Sequence, residues 1–569
     1  MSKKIVTIAA NAVNAKLHEA SREVKLEVQR VLSYKVEGAE HSLLYKQHRW
    51  DGRSSLLDFR SGIFPAGFIH FVSANLKKAG YEVRIVKKPL PTPLGPENPI
   101  VDSFPEDPRY DYQPEVVRRL VKHGQIIAQV ATGGGKSRIA RLAFARINRP
   151  TLFLTTRSIL MYQMKDAFEN DLNVDVSVLG DGQFGTTEGD IKRMSVGMVQ
   201  TLSARLEETT VEREYEKLYA SAEKVHDGQS EAMRKVLRAS KTPEKTIDAE
   251  IKKLDDAFDA RMKANAEKMG AIAKKKYEIQ CARRARTIAL LEKFEFIILE
   301  EAHEASGNSY YEIMRHCKNA HYRLALTATP FMKENEEANM RLMAVSGPIA
   351  IKITEKMLID RGILAKPYFK IVELKNKPAN LRGTTPWQSA YRIGVVENAE
   401  RNLHIAEYAR QAARYGMSIM ILVQHKKHGD ELLTLLVEKG IRSKFIQGED
   451  NHSERKAALK LLAEGEITAL IGTTILDVGV DVPAVGMIIL AGGGKAEVAL
   501  RQRIGRGLRA KKRGPNVALI VDFNDPFNSH LRDHAAQRLA IIKGTEGFGE
   551  NIISGDFDYV GLGLDKLAA

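Results

Sequence analysis

Apolar residues in this chain gather in short bursts, separated by longer stretches in which they recur every three or four positions. That is the pattern of strands alternating with amphipathic helices. Ile126-Ile127-Ala128-Gln129-Val130, Leu152-Phe153-Leu154, Phe296-Ile297-Ile298-Leu299 and Leu324-Ala325-Leu326 form one series of bursts. Ile419-Met420-Ile421-Leu422-Val423, Ala469-Leu470-Ile471, Met487-Ile488-Ile489-Leu490 and Val517-Ala518-Leu519-Ile520-Val521 form a second. Near-continuous apolarity suits strands covered on both faces, so two tandem α/β domains on parallel sheets are predicted.

Upstream, the runs at 5–8, 24–28 and 81–86 read as short strands between turns, a small α+β domain over 1–88. The proline-rich stretch that follows excludes helix and central strand, giving an extended linker over 89–104. The first α/β domain then spans 105–345, the second 346–548, and a tail 549–569. From about 204 to 291 no strand pattern occurs. Val211, Tyr215, Leu218, Ala222 and Val225 step by four and three, as do Ile247, Ile251, Leu254, Phe258 and Met262. With Asp227-Gly228 and Thr242-Pro243 as punctuation, a helical or coiled-coil hairpin inserted in the first domain is expected. Its basic end, Lys274-Lys275-Lys276 and Arg283-Arg284-Ala285-Arg286, suits either a solvated arm or a contact to nucleic acid or a protein partner.

One burst leads into chemistry. Ala131-Thr132-Gly133-Gly134-Gly135-Lys136-Ser137 follows the strand pattern at 126–130 and precedes an amphipathic helical stretch. A strand, a glycine turn and a helix opening on Lys-Ser form a phosphate-binding loop of the Walker A type. Its backbone N–H groups wrap a β-phosphate, Lys136 reaches the β- and γ-phosphates, and the Ser137 hydroxyl is a Mg²⁺ ligand. Thr132, Gly133, Gly134, Gly135, Lys136 and Ser137 are thus candidate nucleotide-binding residues.

The strand pattern at 296–299 ends in Glu300-Glu301-Ala302-His303. Carboxylates at a strand end beside a phosphate loop suit Mg²⁺ binding and water activation: Glu300 is assigned to the metal, Glu301 to the base, and His303 to coupling. Gln113, upstream of the loop, offers an amide for an adenine edge. Arg506 and Arg509 in the second domain offer cationic charge to a γ-phosphate from across a cleft, a contribution worth roughly 10³–10⁵ in rate where arginine fingers act.

Charge points to the partner. Net charge is +16, and residues 1–88 carry sixteen Lys/Arg against eight Asp/Glu, half of the surplus. Such an excess favours a polyanion through counterion release. Trp50, flanked by Arg49 and Arg53, offers an aromatic face and phosphate partners, or a core position. No apolar run is long enough for a bilayer, and Cys281 and Cys317 lack metal-ligand spacing, so a cytoplasmic protein with no membrane partner is expected.

Taken in order, ATGGGKS, EEAH, Thr327-Ala328-Thr329, the 472–483 run and Gln502-Arg503-Ile504-Gly505-Arg506-Gly507-Leu508-Arg509 resemble motifs I, II, III, V and VI of superfamily 2 helicases, over 110–548. The resemblance implies two RecA-like lobes, ATP and Mg²⁺ as cofactors, Gln502 as a further catalytic residue and Gly479 and Asp481 as further nucleotide contacts. It implies coupling by Thr327 and Thr329. It also implies strand-backbone contacts by Thr156, Arg157, Gln200 and Thr201 from the first lobe and by Gln424, Thr473 and Thr474 from the second. Tyr45 to Asp58, followed by Phe64-Pro65-Ala66-Gly67, is similar to the small DNA-binding domain of phage recombination helicases, which act in a host cytoplasm. That likeness implies 3′ to 5′ movement, unwinding of forks and R-loops, and branch migration of Holliday junctions, with branched DNA or RNA–DNA hybrids as partners in recombination and repair. Glu300 departs from the usual Asp at the start of motif II. A duplex translocase, an RNA helicase motor and a non-catalytic ATP-gated clamp remain open as alternatives.

Overall fold

A computed structural model describes the chain except residues 1–3, 103–106, 185–190, 303–307, 332–334, 448–451, 474–483, 495–499, 501–503, 506, 512–513 and 567–569 and the side chains at 308 and 452. The N-terminal domain contains β1 (Ile5–Ala10), β2 (Asn14–His18), β3 (Ser33–Lys35), β4 (Arg53–Ser55), β5 (Ile63–Pro65) and β6 (Glu82–Lys87). Its main sheet has the order β5-β2-β1-β6, and β3 pairs with β4. The run at 24–28 is helical, within Arg22–Val31, rather than a strand. The Ser21 side chain accepts from the Val24 N–H and caps the helix, and Val24 and Val28, one turn apart, share the buried face.

The first lobe holds β7 (Gln125–Val130), β8 (Thr151–Thr155), β9 (Val176–Gly180), β10 (Gln183–Phe184), β11 (Met194–Met198), β12 (Phe296–Glu300), β13 (Tyr322–Thr327) and β14 (Ile349–Ile353). Their order is β10-β9-β11-β8-β12-β13-β7-β14, and every pair except β10/β9 is parallel. The second lobe holds β15 (Lys366–Glu373), β16 (Ile419–Leu422), β17 (Ser443–Ile446), β18 (Ala469–Gly472), β19 (Met487–Ile489), β20 (Val517–Asn524) and β21 (Ile552–Ile553), ordered β17-β18-β16-β19-β20-β15-β21 and wholly parallel. Two RecA-like parallel-sheet lobes and an α+β N-terminal domain are the observed fold class.

Two boundaries move. β14 pairs with β7, so the first lobe's sheet extends past residue 345. β21 pairs with β15, and Phe557 and Tyr559 are buried in the second lobe's core, so much of the 549–569 stretch is packed rather than a free tail. The insertion is three helices, Val211–Ala239, Glu244–Ala264 and Ala266–Leu291, not a two-helix hairpin. The first runs straight through Asp227-Gly228; a glycine inside an exposed helix costs only about 1 kcal/mol. Buried His226 stacks on Phe258 at 4.4 Å and meets Asp255 at 2.7 Å, tying the first two helices together.

The proline-rich stretch has no regular structure but is strapped to the first lobe. Leu94 and Gly95 N–H groups donate to the Ile147 and Arg146 carbonyls, and the Tyr322 hydroxyl donates to the Pro91 carbonyl at 2.6 Å. The N-terminal domain is seated just as closely. A Cβ at Gly67 would lie 2.0 Å from the Met343 carbonyl oxygen on helix Glu336–Ser346, so glycine is required there. Gln125 donates to the Ala12 carbonyl at 2.7 Å. No helix among the described residues is long and apolar enough to cross a membrane.

Candidate active site

β7 delivers the chain into the glycine loop, and helix Lys136–Ile147 carries it away. Gly133 and Gly135 adopt φ of +86° and +81°, a left-handed backbone that disfavours side chains. A Cβ at Gly135 would meet Gln113 Nε2 at 2.4 Å. The loop is held from below. The Tyr112 hydroxyl and the Gln113 amide both donate to the Gly134 carbonyl, at 2.8 and 3.3 Å, and Gln113 Oε1 accepts from Arg138 at 2.7 Å. Gln113 is fully buried, and in this structure its amide is committed to the loop backbone.

β12 lies two strands from β7 and ends at Glu300, bringing the acidic pair to the loop. Lys136 Nζ lies 3.6 Å from Glu301 Oε1, both side chains largely shielded. Glu301 takes a left-handed φ of +46°, unusual away from glycine and typical of constrained functional positions. Glu300 is buried, and burial pushes its carboxyl up to about 7; nearby Lys136 pulls it down and Glu301 raises it. Its Oε2 has no hydrogen-bond partner among the described residues. A buried carboxylate oxygen without a donor, beside a lysine and a glycine cradle, fits a Mg²⁺–nucleotide site. Lys136, Ser137 and the loop N–H groups would hold the phosphates and Glu300 the metal.

The second lobe closes over this loop. Gly505 approaches Thr132, and Leu364 packs where a Gly133 Cβ would stand, at 2.7 Å. Leu364 also forms a β-bridge with Arg509, and the Ala365 N–H donates to the Leu508 carbonyl at 2.6 Å. Arg509 thus sits one residue layer from the loop. Sequence reasoning missed Leu364, Leu358 and Tyr112 as loop supports, because neither the apolar contacts of the two leucines nor a tyrosine hydroxyl on the Gly134 carbonyl leaves a motif. It also missed Lys511, whose buried ammonium donates to the Val485 and Gly507 carbonyls at 2.5 and 3.2 Å and is lowered to about 8 by burial. Gln502, Arg506, His303, Gly479, Asp481 and Thr474 lie outside the described residues. Thr327 is buried at the end of β13, its hydroxyl accepting from the Thr329 N–H at 3.2 Å.

The proposed strand contacts lie at the C-terminal ends of parallel strands, where open α/β sheets bind ligands. Thr156 and Arg157 follow β8, Gln200 and Thr201 follow β11, and Gln200 donates to the Thr156 carbonyl at 2.9 Å, joining the two segments. Gln424 follows β16 and donates to the Gly493 carbonyl at 3.2 Å; Thr473 follows β18 with its hydroxyl buried and unpartnered among the described residues. The N-terminal trio differs. Half-buried Trp50 donates to the Arg53 carbonyl at 2.6 Å, and Arg53 donates to the Ser33 carbonyl and reaches Glu336 of the first lobe at 3.4 Å, a tie between domains. Arg49 is exposed.

Residues 107–332 match the family model described as type III restriction enzyme, res subunit, and residues 402–511 match the helicase conserved C-terminal domain. The chain belongs to the superfamily 2 helicases. Members of this superfamily hydrolyse ATP. Relatives of this helicase include putative helicase 22 of Sulfolobus islandicus filamentous virus, 23% identical over 42% of this chain and 44% of the relative. They also include the ATP-dependent DNA helicase uvsW of Enterobacteria phage T4, 24% identical over 41% of this chain and 46% of the relative. The helicase therefore matches under half the length of these curated relatives. The crystal structure of T4 UvsW aligns over 96% of this chain and 98% of its own, with a TM-score of 0.41 and 16% identity.

Proposed function

We propose that this helicase is an ATP-driven DNA motor that unwinds and branch-migrates forked DNA, four-way junctions or R-loops. One observation carries the reading: the glycine loop is touched from both lobes, by Lys136 and Glu301 on its own side and by Gly505 and Leu364 from the other. A site shared between lobes lets hydrolysis change their separation, and strand-binding candidates on both lobes convert that change into movement. When bound, Mg²⁺–ATP supplies the phosphoanhydride whose cleavage drives the cycle, with metal neutralising phosphate charge. The chain's own residues do the rest. Lys136 binds the β- and γ-phosphates, Glu301 accepts a proton from the attacking water, and Arg506 and Arg509 answer developing charge from the second lobe. The basic N-terminal domain and the relative named as a DNA helicase support DNA as the partner.

ATP hydrolysis measured with and without forked DNA tests this. Stimulation by the fork, lost in Lys136→Ala together with unwinding, is expected; an unstimulated wild type overturns it. The type III restriction description over 107–332 favours a second reading, translocation on duplex without strand separation. Triplex displacement with no unwinding of forks would select it.

A further inference from the structure

Far from the glycine loop, at the N-terminal end of β7, the N-terminal domain and first lobe enclose a cavity of about 250 Å³. It runs into a second of about 470 Å³ through His70, His123, Gln125 and Pro348, which line both. Lys87, Lys88, Arg118, Arg119, Lys122 and Lys318 line this joint groove, and Glu115 is its one acidic lining residue among the described residues. Glu115 is already taken by Arg118 and Arg119, at 2.9 and 2.8 Å, and Lys318 is paired with Glu292. No carboxylate among the described residues lies within ion-pair distance of Lys87, Lys88 or Lys122, and all three are exposed. The histidines register the same positive field. His70 and His123 are each held below the ordinary range, first by burial and then by Lys87 and Lys122 respectively; His321 is lowered by burial, with Glu295 opposing and Arg323 and Lys88 adding to it.

We propose that this groove binds the sugar–phosphate backbone of a second nucleic-acid arm, distinct from the strand tracked between the lobes. The inference rests on the nucleic-acid-motor reading above. Position argues for a separate arm. β7 runs from Gln125 in the groove to Val130 at the loop, six residues or roughly 20 Å. Thr156, Gln200, Gln424 and Thr473 all sit at C-terminal strand ends, whereas the groove lies at the opposite end of the first sheet. Chemistry argues for phosphate. Lys87, Lys88 and Lys122, which meet no carboxylate among the described residues, and the Asn11 and Asn319 amides share the groove's lining with apolar side chains, a mix that suits a sugar–phosphate backbone. The seating of Gly67 on the helix Glu336–Ser346 fixes the two walls relative to each other, so the cations converge without a further folding step.

The test is equilibrium binding of the full chain to a forked DNA and to an isolated single strand, across a salt series. Neutralising the unpaired cations together (Lys87→Gln, Lys88→Gln, Lys122→Gln) should weaken fork binding at least about tenfold. The log–log salt slope should fall by about two to three, since each phosphate contact contributes about 0.9. Single-strand affinity should be unchanged, and the corresponding Lys→Arg triple variant should bind forks like wild type. An unchanged fork affinity and slope, or an equal loss on both DNAs, overturns the proposal. So does poly-glutamate that binds wild type but not the Gln variant while fork binding stays intact, which would assign the groove to an acidic protein. Because binding is read without turnover, a groove that fails in a protein still stimulated by forks leaves the motor reading standing.

Discussion

Gly505, from the second lobe, lies so close to Thr132 of the glycine loop that a Cβ added to it would stand 2.6 Å from the Thr132 Cβ. Nothing flexible can yield there, since the obstructing atom is next to the backbone. Gly505→Ala should therefore hold the lobes apart. ATP turnover is expected to drop at least about tenfold, while binding of a fluorescent nucleotide, carried chiefly by the first lobe's loop, changes little. Full turnover in the variant would show that this contact plays no part in the active closure.

Glu300 combines burial with an oxygen that has no hydrogen-bond donor among the described residues. Glu300→Gln removes a buried charge, so the metal-free protein should melt a few degrees higher. The same change should abolish Mg²⁺-dependent hydrolysis. Glu300→Asp, one methylene shorter, should retain measurable turnover. A glutamine variant that is both less stable and active would contradict the assignment.

Gly135 faces two obstacles to a side chain, its φ of +81° and the Gln113 amide 2.4 Å from any Cβ. Gly135→Ala should lower nucleotide affinity about tenfold or more. Adding Gln113→Ala should restore part of that loss and no more, because the backbone strain remains. Complete rescue in an isothermal titration would mean that strain is negligible.

A pH effect is built into the second lobe. His428 is buried, donates through Nε2 to Asn402 Oδ1 at 2.9 Å, and is lowered by burial to about 3 from 6.5. Between those values the unfolded chain takes up a proton that the folded chain refuses, so stability falls as pH drops below 6.5. From pH 7 to pH 5 the loss from this group is about 2 kcal/mol. His428→Gln, which can still donate to Asn402, should flatten that part of the unfolding curve against pH. A wild type and variant that lose stability in parallel would rule the group out.

The strands legible in the chain were those covered on both faces, such as 126–130 and 517–521, where burial leaves little but apolar residues. The run at 24–28 misled because Val24 and Val28, with Leu26 between, fit alternation as well as a helical turn; the Ser21 cap decides in favour of the helix. At the site, Lys136 and Glu301 could be paired from order along the chain, since parallel strands bring their C-terminal ends together. Leu364 against Gly133 could not, because that contact exists only where the two lobes meet, in an apolar cluster that draws on both sheets. Nor could the buried Arg401–Asp525 pair, at 2.5 Å, be distinguished in sequence from surface charge.

Gly67's seat on the first lobe also makes the machine lopsided. The N-terminal domain, the proline strap, the three-helix insertion and the glycine loop are joined into a single chassis, the domain through Gln125 to the Ala12 carbonyl and Arg53 to Glu336, the strap through the Ile147 and Arg146 carbonyls. Arg361 is still tied to Arg109 and Asp111, so the arm begins with the second sheet at Lys366. A displacement at the nucleotide is then referred to a heavy frame on one side and a light lever on the other, so nearly all the travel falls to the lever.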